Sequence, residues 1–120
     1  MKPKIGHTAF GSITIGENDY EFDIVITLDG DVKKRKKKLS KKVSGTSHKV
    51  SLDEIKDIFQ KGTERLIIGA GQYGMLSLTE AARDYLKRKE CAVSLTPTPE
   101  AIKVWNEAHG KIIGLFHITC

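Results

Sequence analysis

Cysteine is scarce in this chain of 120 residues, which contains only Cys91 and Cys120 and no Cys-x-x-Cys pair. Two such cysteines indicate neither a disulfide framework nor a zinc knuckle, and they suit a reducing compartment. Long apolar runs are also missing, because the uncharged stretch at residues 66–78 is well short of the roughly 20 residues that span a membrane. We therefore expect a cytoplasmic protein with no export signal, no membrane contact and no metal site.

The composition is that of an ordinary soluble globular protein, with 39% hydrophobic and 29% charged residues. One domain, residues 1–120, is long enough to bury a core. The formal net charge of +5 is unevenly distributed, because eight of the ten residues at positions 33–42 are Lys or Arg. Without them the chain is slightly acidic.

Apolar and β-branched residues predict strands at residues 10–15 and 20–26, joined by a turn, and a final buried strand within residues 111–120. Further strands are predicted at residues 64–69 and 91–95. The second half of the chain alternates strands with helices. This alternation predicts an α/β sheet preceded by a β-hairpin region.

Three helix starts are visible. Ser51-Leu52-Asp53-Glu54 and Ser77-Leu78-Thr79-Glu80 each have the spacing of a capping box, in which a hydroxyl and a carboxylate satisfy two backbone N–H groups. Thr98-Pro99-Glu100 predicts a third start, with Thr98 as the cap and Pro99 as the first helical residue.

The basic run follows an Asp29-Gly30 turn, which favours a two-residue hairpin loop. Counting outward pairs Asp23 with Lys36 and leaves Arg35 on the face of the apolar residues. We interpret the run as an exposed edge strand protected by charge, with polyanion binding and an acidic protein partner as alternatives. No aromatic residue interrupts the run, so nucleic acid is not favoured. Its basic residues are Lys33, Lys34, Arg35, Lys36, Lys37, Lys38, Lys41 and Lys42.

The pattern Gly69-x-Gly71-x-x-Gly74 follows the predicted strand at residues 64–69. A dinucleotide-binding turn is disfavoured, because no helix starts on the glycines and no acidic residue ends the next strand. Bare N–H groups here could hold a small anion. A structural turn is the favoured interpretation, and no cofactor is expected.

Two histidines could carry chemistry. His48, beside Thr46 and Ser47, could act as a general base or contact an anion, although a loop histidine with local hydrogen bonds is the simpler interpretation. His117 and Cys120 have a spacing that suggests a metal or thiol site, but a regular strand would point them to opposite faces. A packed terminal strand is favoured there.

The order of Phe10-Gly11, Gly45-Thr46-Ser47-His48, the three glycines, Pro97-Thr98 and terminal His117-x-Thr119-Cys120 resembles a small family of archaeal and bacterial hypothetical proteins. That family is similar to the human adipogenesis-associated domain protein and to a mitochondrial complex I assembly factor. The resemblance implies a three-layer domain with a central mixed sheet of about five strands, and no established enzymatic activity. The positions that match its motifs are Thr46, Ser47, His48, Gly69, Gly71, Gly74, Thr98, Asn106, His117 and Cys120.

Our leading hypothesis is a non-enzymatic protein-binding or assembly module that uses the glycine loop (residues 69–74) and residues 45–48 as its contact surface. The alternative is a small-anion-binding protein or an enzyme centred on His48 and the backbone of the glycine loop. That alternative requires the two segments to converge on one pocket. A second alternative is polyanion binding through residues 33–42.

Overall fold

A computed structural model describes residues 2–120 and confirms the predicted α/β architecture. The core is a mixed sheet of five strands: β4 (Ile24–Ile26), β5 (Val32–Lys34), β7 (Arg65–Ala70), β9 (Ala92–Thr96) and β10 (Ile112–His117). Their order across the sheet is β5-β4-β10-β7-β9. β10 pairs with β7 in parallel and with β4 antiparallel.

Both faces of this sheet are apolar, so each is covered by another layer. Alternate residues of β7 show the division: Ile68 packs into one hydrophobic cluster and Ile67 into the other. The first cluster includes residues of α2 (Leu52–Ile58) and α3 (Glu80–Arg88), and the second includes residues of α4 (Thr98–Glu107) and of the N-terminal strands. The result is the expected three-layer arrangement.

The predicted N-terminal hairpin region is a separate antiparallel sheet of three strands, β1 (Ile5–Ala9), β2 (Ser12–Ile15) and β3 (Asn18–Tyr20). The strand predicted at residues 20–26 is therefore wrong as one element. β3 ends at Tyr20, and β4 starts at Ile24 in the central sheet. The three residues between them carry the chain from one sheet to the other.

The cap predicted at Ser51 is confirmed, since its hydroxyl accepts a hydrogen bond from the N–H of Glu54 at 3.3 Å. The other two starts are corrected. Thr79, rather than Ser77, caps α3, because residues Ser77–Leu78 form strand β8. Pro97 is the cap position of α4, and Thr98 is its first helical residue, with its hydroxyl committed elsewhere.

The register predicted for the basic run is wrong by one residue. Ile24 pairs with Lys34 and Ile26 with Val32, so the hairpin loop has three residues, 28–30. Gly30 takes a φ of 87° there, which suits a left-handed loop position. Because side chains alternate along a strand, the shift places Arg35, instead of the predicted Lys36, beside Asp23.

The basic run is also not one strand. β5 ends at Lys34, and α1 (Lys38–Ser44) begins four residues later. β6 (Lys49–Val50) then pairs in parallel with β8. None of the helices within residues 2–120 has the length and apolar character needed to cross a bilayer.

Candidate functional site

The candidate site lies at the edge of the central sheet where β10 ends. His117 is the last residue of β10 and pairs with Ala70 at the end of β7. On the other side, Phe116 pairs with Ile24, so the residue before β4, Asp23, lies beside His117. The carboxyl ends of parallel strands are where open α/β sheets usually place their ligands.

A buried arginine organises this edge. Arg35 donates from Nε and Nη2 to Glu54 at 2.6 and 3.0 Å, from Nη1 to Asp23 at 2.8 Å, and from Nη2 to the Ser47 carbonyl at 2.6 Å. The side chains of Arg35 and Glu54 are fully buried. Arg35 therefore joins the start of β4, helix α2 and the loop that carries His48.

The carboxylate of Asp23 connects Arg35 to the end of β10. Its Oδ2 lies 2.7 Å from Nδ1 of His117, and its Oδ1 accepts from the N–H of Ile118 at 2.9 Å. Burial opposes ionisation of this carboxyl group, but the hydrogen bonds from His117, Ile118 and Arg35 outweigh it and hold the pKa of Asp23 below its ordinary value. Asp23 is therefore a carboxylate near neutral pH.

An ionised carboxylate accepts hydrogen bonds only, so Nδ1 of His117 carries a hydrogen. In the neutral ring, Nε2 is then left as the proton acceptor. It lies 3.3 Å from the hydroxyl oxygen of Thr119. The position of Asp23 therefore fixes both the orientation and the tautomer of this imidazole.

His48 lies against His117, with ring centroids 5.3 Å apart and an interplanar angle of 74°. Its loop is held in three ways: the His48 N–H donates to Thr46, its carbonyl accepts from the N–H of Ser77, and Arg35 binds Ser47. The predicted loop histidine is thus placed beside the predicted strand histidine. Sequence distance alone gave no sign of this contact.

The two histidines line an open cleft of about 230 Å³, which we call the histidine cleft. Its rim carries both cationic and acidic side chains, and its floor contains the Asp23–His117 pair. The lining residues are Glu21, Phe22, Asp23, Lys34, Arg35, Lys37, Ser47, His48, His117, Ile118 and Thr119.

The glycine loop does not offer its backbone to this cleft. The N–H of Gly71 donates to Thr98, that of Gln72 to the Thr119 carbonyl, that of Gly74 to the Gly71 carbonyl, and that of Met75 to the Cys120 carbonyl. These bonds lie inside the molecule. An anion site on the bare amides is therefore wrong, and the favoured structural turn is the better description.

Gly69 and Gly71 are needed because other segments of the same chain approach them closely. A Cβ on Gly69 would lie 2.8 Å from the Thr98 hydroxyl, and one on Gly71 would lie 2.3 Å from the carbonyl carbon of Cys120. Gly71 also has a φ of 95°, which favours glycine. The loop holds the C-terminal segment, and so it supports His117 from behind.

The remaining predicted site residues have structural contacts. Thr98 is buried, accepts from Gly71 and donates to the His117 carbonyl. Asn106 bonds both the N–H and the carbonyl of Ile5 in β1. Cys120 contributes its carbonyl, as described above. Of the predicted set, Ser47, His48 and His117 line the cleft.

The basic run at residues 33–42 contains one buried cation and several exposed ones. Arg35 is buried, while its seven neighbouring lysines are exposed. Lys34 and Lys37 line the cleft, and Lys36 pairs with Asp57 at 3.4 Å. We call these exposed residues the lysine surface; they are Lys33, Lys34, Lys36, Lys37, Lys38, Lys41 and Lys42. Within residues 2–120, no group of three or more His, Cys, Asp or Glu side chains is arranged to hold a metal ion.

The sequence profile of a family described as "Protein of unknown function (DUF498/DUF598)" matches residues 5–112. The chain belongs to the DUF498/DUF598 family. Solved structures agree. A conserved hypothetical protein, PH1505 from Pyrococcus horikoshii OT3, is 36% identical with a TM-score of 0.89, and the match covers 98% of this chain and 99% of that one.

A protein designated MT938 is 33% identical with a TM-score of 0.83, and the match covers 99% of this chain and 100% of that one. A Bordetella parapertussis protein is similar at 14% identity, with a TM-score of 0.75 over 98% of this chain and 96% of that one. At that identity the likeness concerns the fold alone. Matches over nearly the whole length show that this DUF498/DUF598 chain spans the same unit as these relatives.

Asp23 and Thr119, together with the buried role of Arg35, are parts of the histidine cleft that the sequence prediction missed. Two signals in the sequence pointed to Arg35 and Asp23. Arg35 is the one arginine among the basic residues at positions 33–42, and a guanidinium suits buried, bidentate pairing better than lysine does. Asp23 directly precedes the apolar run of β4, at a strand end where a charged side chain can meet a neighbouring strand.

Proposed function

We propose that this chain binds a small anionic ligand in the histidine cleft and presents an acid–base imidazole to it. The observation that carries the proposal is the placement of His117, whose Nδ1 is fixed by Asp23 at 2.7 Å while His48 lies against its ring. This is the site predicted around His48, moved from the glycine loop to the end of β10.

The charges around the cleft support an anionic ligand. Arg35 is neutralised by Asp23 and Glu54, so it contributes little free charge. The exposed ammonium groups of Lys34 and Lys37 face no such pair of carboxylates, and Glu21 is the acidic residue at the rim. A phosphate or carboxylate group can therefore meet lysine side chains while its substituents approach the two imidazoles.

Isothermal titration with inorganic phosphate and with succinate tests this proposal. We expect Lys34→Gln combined with Lys37→Gln to weaken binding about tenfold, because each lost charge–charge contact near the surface is worth about 1 kcal/mol or less. The matched control is Lys41→Gln combined with Lys42→Gln, which removes the same charge from α1 outside the cleft lining. Equal losses in both variants would contradict a defined site.

A second candidate is protein binding, which was the leading hypothesis from the sequence. Three large apolar side chains are exposed at and beside the glycine loop: Phe10 at 58%, Tyr73 at 73% and Met75 at 61%. The rings of Phe10 and Tyr73 lie 6.2 Å apart, so they form one patch. Exposed aromatic clusters of this kind often mark contact surfaces.

This second proposal includes an assembly role, which a relationship to the human adipogenesis-associated domain protein and the mitochondrial complex I assembly factor would imply. It also includes a cytoplasmic location. Affinity capture with Phe10→Ser combined with Tyr73→Ser tests it. A partner recovered by the native chain and lost in this variant supports it, and equal recovery by both contradicts the patch. Val43→Ser, which removes another exposed apolar side chain at 61%, is the control.

A further inference from the structure

The end of β10 places a hydroxyl beside the fixed imidazole. Asp23 Oδ2 lies 2.7 Å from His117 Nδ1, and His117 Nε2 lies 3.3 Å from Thr119 Oγ1. His117 and Thr119 are two residues apart in sequence, and both line the histidine cleft. The arrangement is a carboxylate, an imidazole and a hydroxyl, each adjacent to the next.

This order is the one in which hydrolytic enzymes activate a hydroxyl group. The carboxylate holds the imidazole, the imidazole removes the hydroxyl proton, and the oxygen attacks a carbonyl carbon. A distance of 3.3 Å is longer than the usual 2.6–3.2 Å for such a contact, and these contacts commonly tighten when a substrate binds. Threonine serves as a nucleophile in other enzymes when a base lies next to it.

We infer that Thr119 is a nucleophile that His117 activates, and that the chain transfers the acyl group of small anionic carboxylic esters to Thr119 and then to water. The inference rests on the proposed function, because the anionic end of the ester would bind near Lys34 and Lys37. Those ammonium groups line the same cleft as Thr119, where they can also stabilise the oxyanion of a tetrahedral intermediate.

The reaction balances as follows. Thr119 Oγ1 forms a bond to the ester carbonyl carbon while its proton passes to His117 Nε2. The bond to the leaving alkoxide breaks, and that oxygen takes the proton from His117. Water then attacks the acyl-threonine carbon and gives a proton to His117. The acyl–oxygen bond breaks, the proton returns to Thr119, and one carboxylic acid leaves.

One competing nucleophile lies nearby, since Cys120 follows Thr119 and has a free thiol. Its side chain is not part of the cleft lining. The test therefore uses the Cys120→Ala chain as its background, so that any acyl adduct cannot be on that sulfur. Trypsin cleavage after Lys111 releases residues 112–120 as one peptide for mass spectrometry.

The probe is the mono-4-nitrophenyl ester of succinic acid, which carries a free carboxylate and a coloured leaving group. We expect release of 4-nitrophenolate and a succinyl adduct on Thr119. Thr119→Val, which keeps the shape of the side chain, should abolish the adduct and lower the rate at least about 100-fold. Thr119→Ser should keep both, and Thr14→Val on β2 is the matched control.

Two results would overturn the inference: a succinyl group found only on lysine, or an unchanged rate in Thr119→Val. Succinate binding measured on the same variants separates this inference from the proposed function. Binding without acylation contradicts the nucleophile alone. Absence of both contradicts the anion site as well.

Discussion

The glycine loop and the histidine cleft lie at the same edge of the central sheet, but they satisfy their polar groups differently. In the loop, the N–H groups of Gly71, Gln72, Gly74 and Met75 have acceptors within the chain. In the cleft, Asp23 fixes one nitrogen of His117 and leaves the other beside a hydroxyl at 3.3 Å. These backbone N–H groups are therefore occupied, whereas Nε2 of His117 lies in the cleft beside Thr119.

A ligand-like sequence pattern and a candidate ligand site therefore do not coincide in this chain. Gly71 permits close packing of the C-terminal residues His117 and Cys120 against the loop, and Gly69 permits close packing of Phe116. That packing in turn fixes the backbone of His117 and Thr119, whose side chains line the cleft. The loop therefore contributes to the site as its support.

The largest expected effect comes from filling the loop. Gly71→Ala should lower the free energy of unfolding by about 4 kcal/mol, because the new Cβ meets the Cys120 backbone at a φ of 95°. Gly16→Ala is the control, with a φ of 60° and open space around the Cβ, and it should cost about 1 kcal/mol. Urea unfolding measures both. Similar values for the two variants would show that the close approach is unimportant.

Removing the buried cation should be the next largest change. Arg35→Leu leaves Glu54 without its charged partner, and breaking a buried pair typically costs about 3–5 kcal/mol. We expect about 3 kcal/mol in urea unfolding, because Asp23 keeps its bonds from His117 and Ile118. The double variant Arg35→Leu with Glu54→Met should recover part of this loss. If the double variant is no more stable than Arg35→Leu, the unpaired charge of Glu54 is not the cause of the lost stability.

The Asp23 carboxylate should make stability depend on pH. Its pKa is lowered in the folded chain, so it contributes stability above the unfolded value of about 4 and loses it as the pH falls through the folded value. Asp23→Asn should cost about 1–2 kcal/mol at pH 7. The difference in the free energy of unfolding between the Asp23→Asn variant and the native chain should become smaller below about pH 4. A difference that grows as the pH falls would contradict a lowered pKa for Asp23 in the folded chain.

The smallest effect is expected at the lysine surface. Lys36 pairs with Asp57 at 3.4 Å, but the Lys36 side chain is 69% exposed. Lys36→Gln should therefore change the free energy of unfolding by less than about 0.5 kcal/mol. A loss comparable to that of Arg35→Leu would show that exposure does not separate these two neighbouring cations.

Much of the fold was predictable because local patterns and the final packing agree. The apolar run of β10 has no solvent-facing residues, which fits a strand buried on both faces. The cap at Ser51 was readable because it depends on two residues three apart. Its reciprocal half was not, because Glu54 turns instead to Arg35 and to Ser40 at 2.5 Å.

The candidate site was less predictable, because it depends on register and on strand order. A hairpin loop of three residues instead of two moved Arg35 from an apolar face to Asp23. Nothing near His48 in the sequence reveals that β10 lies between β4 and β7, which brings His117 to it. The histidines and the arginine of the site could be identified in the sequence, but their arrangement depends on contacts between residues that are distant in the sequence.

The most direct test of the account is a long-range nitrogen–proton NMR spectrum of the histidine rings, recorded with and without inorganic phosphate. The account predicts that His117 is protonated at Nδ1 when neutral and that the signals of both His48 and His117 move as phosphate is added. A His117 ring protonated at Nε2, with neither histidine responding to phosphate, would contradict it.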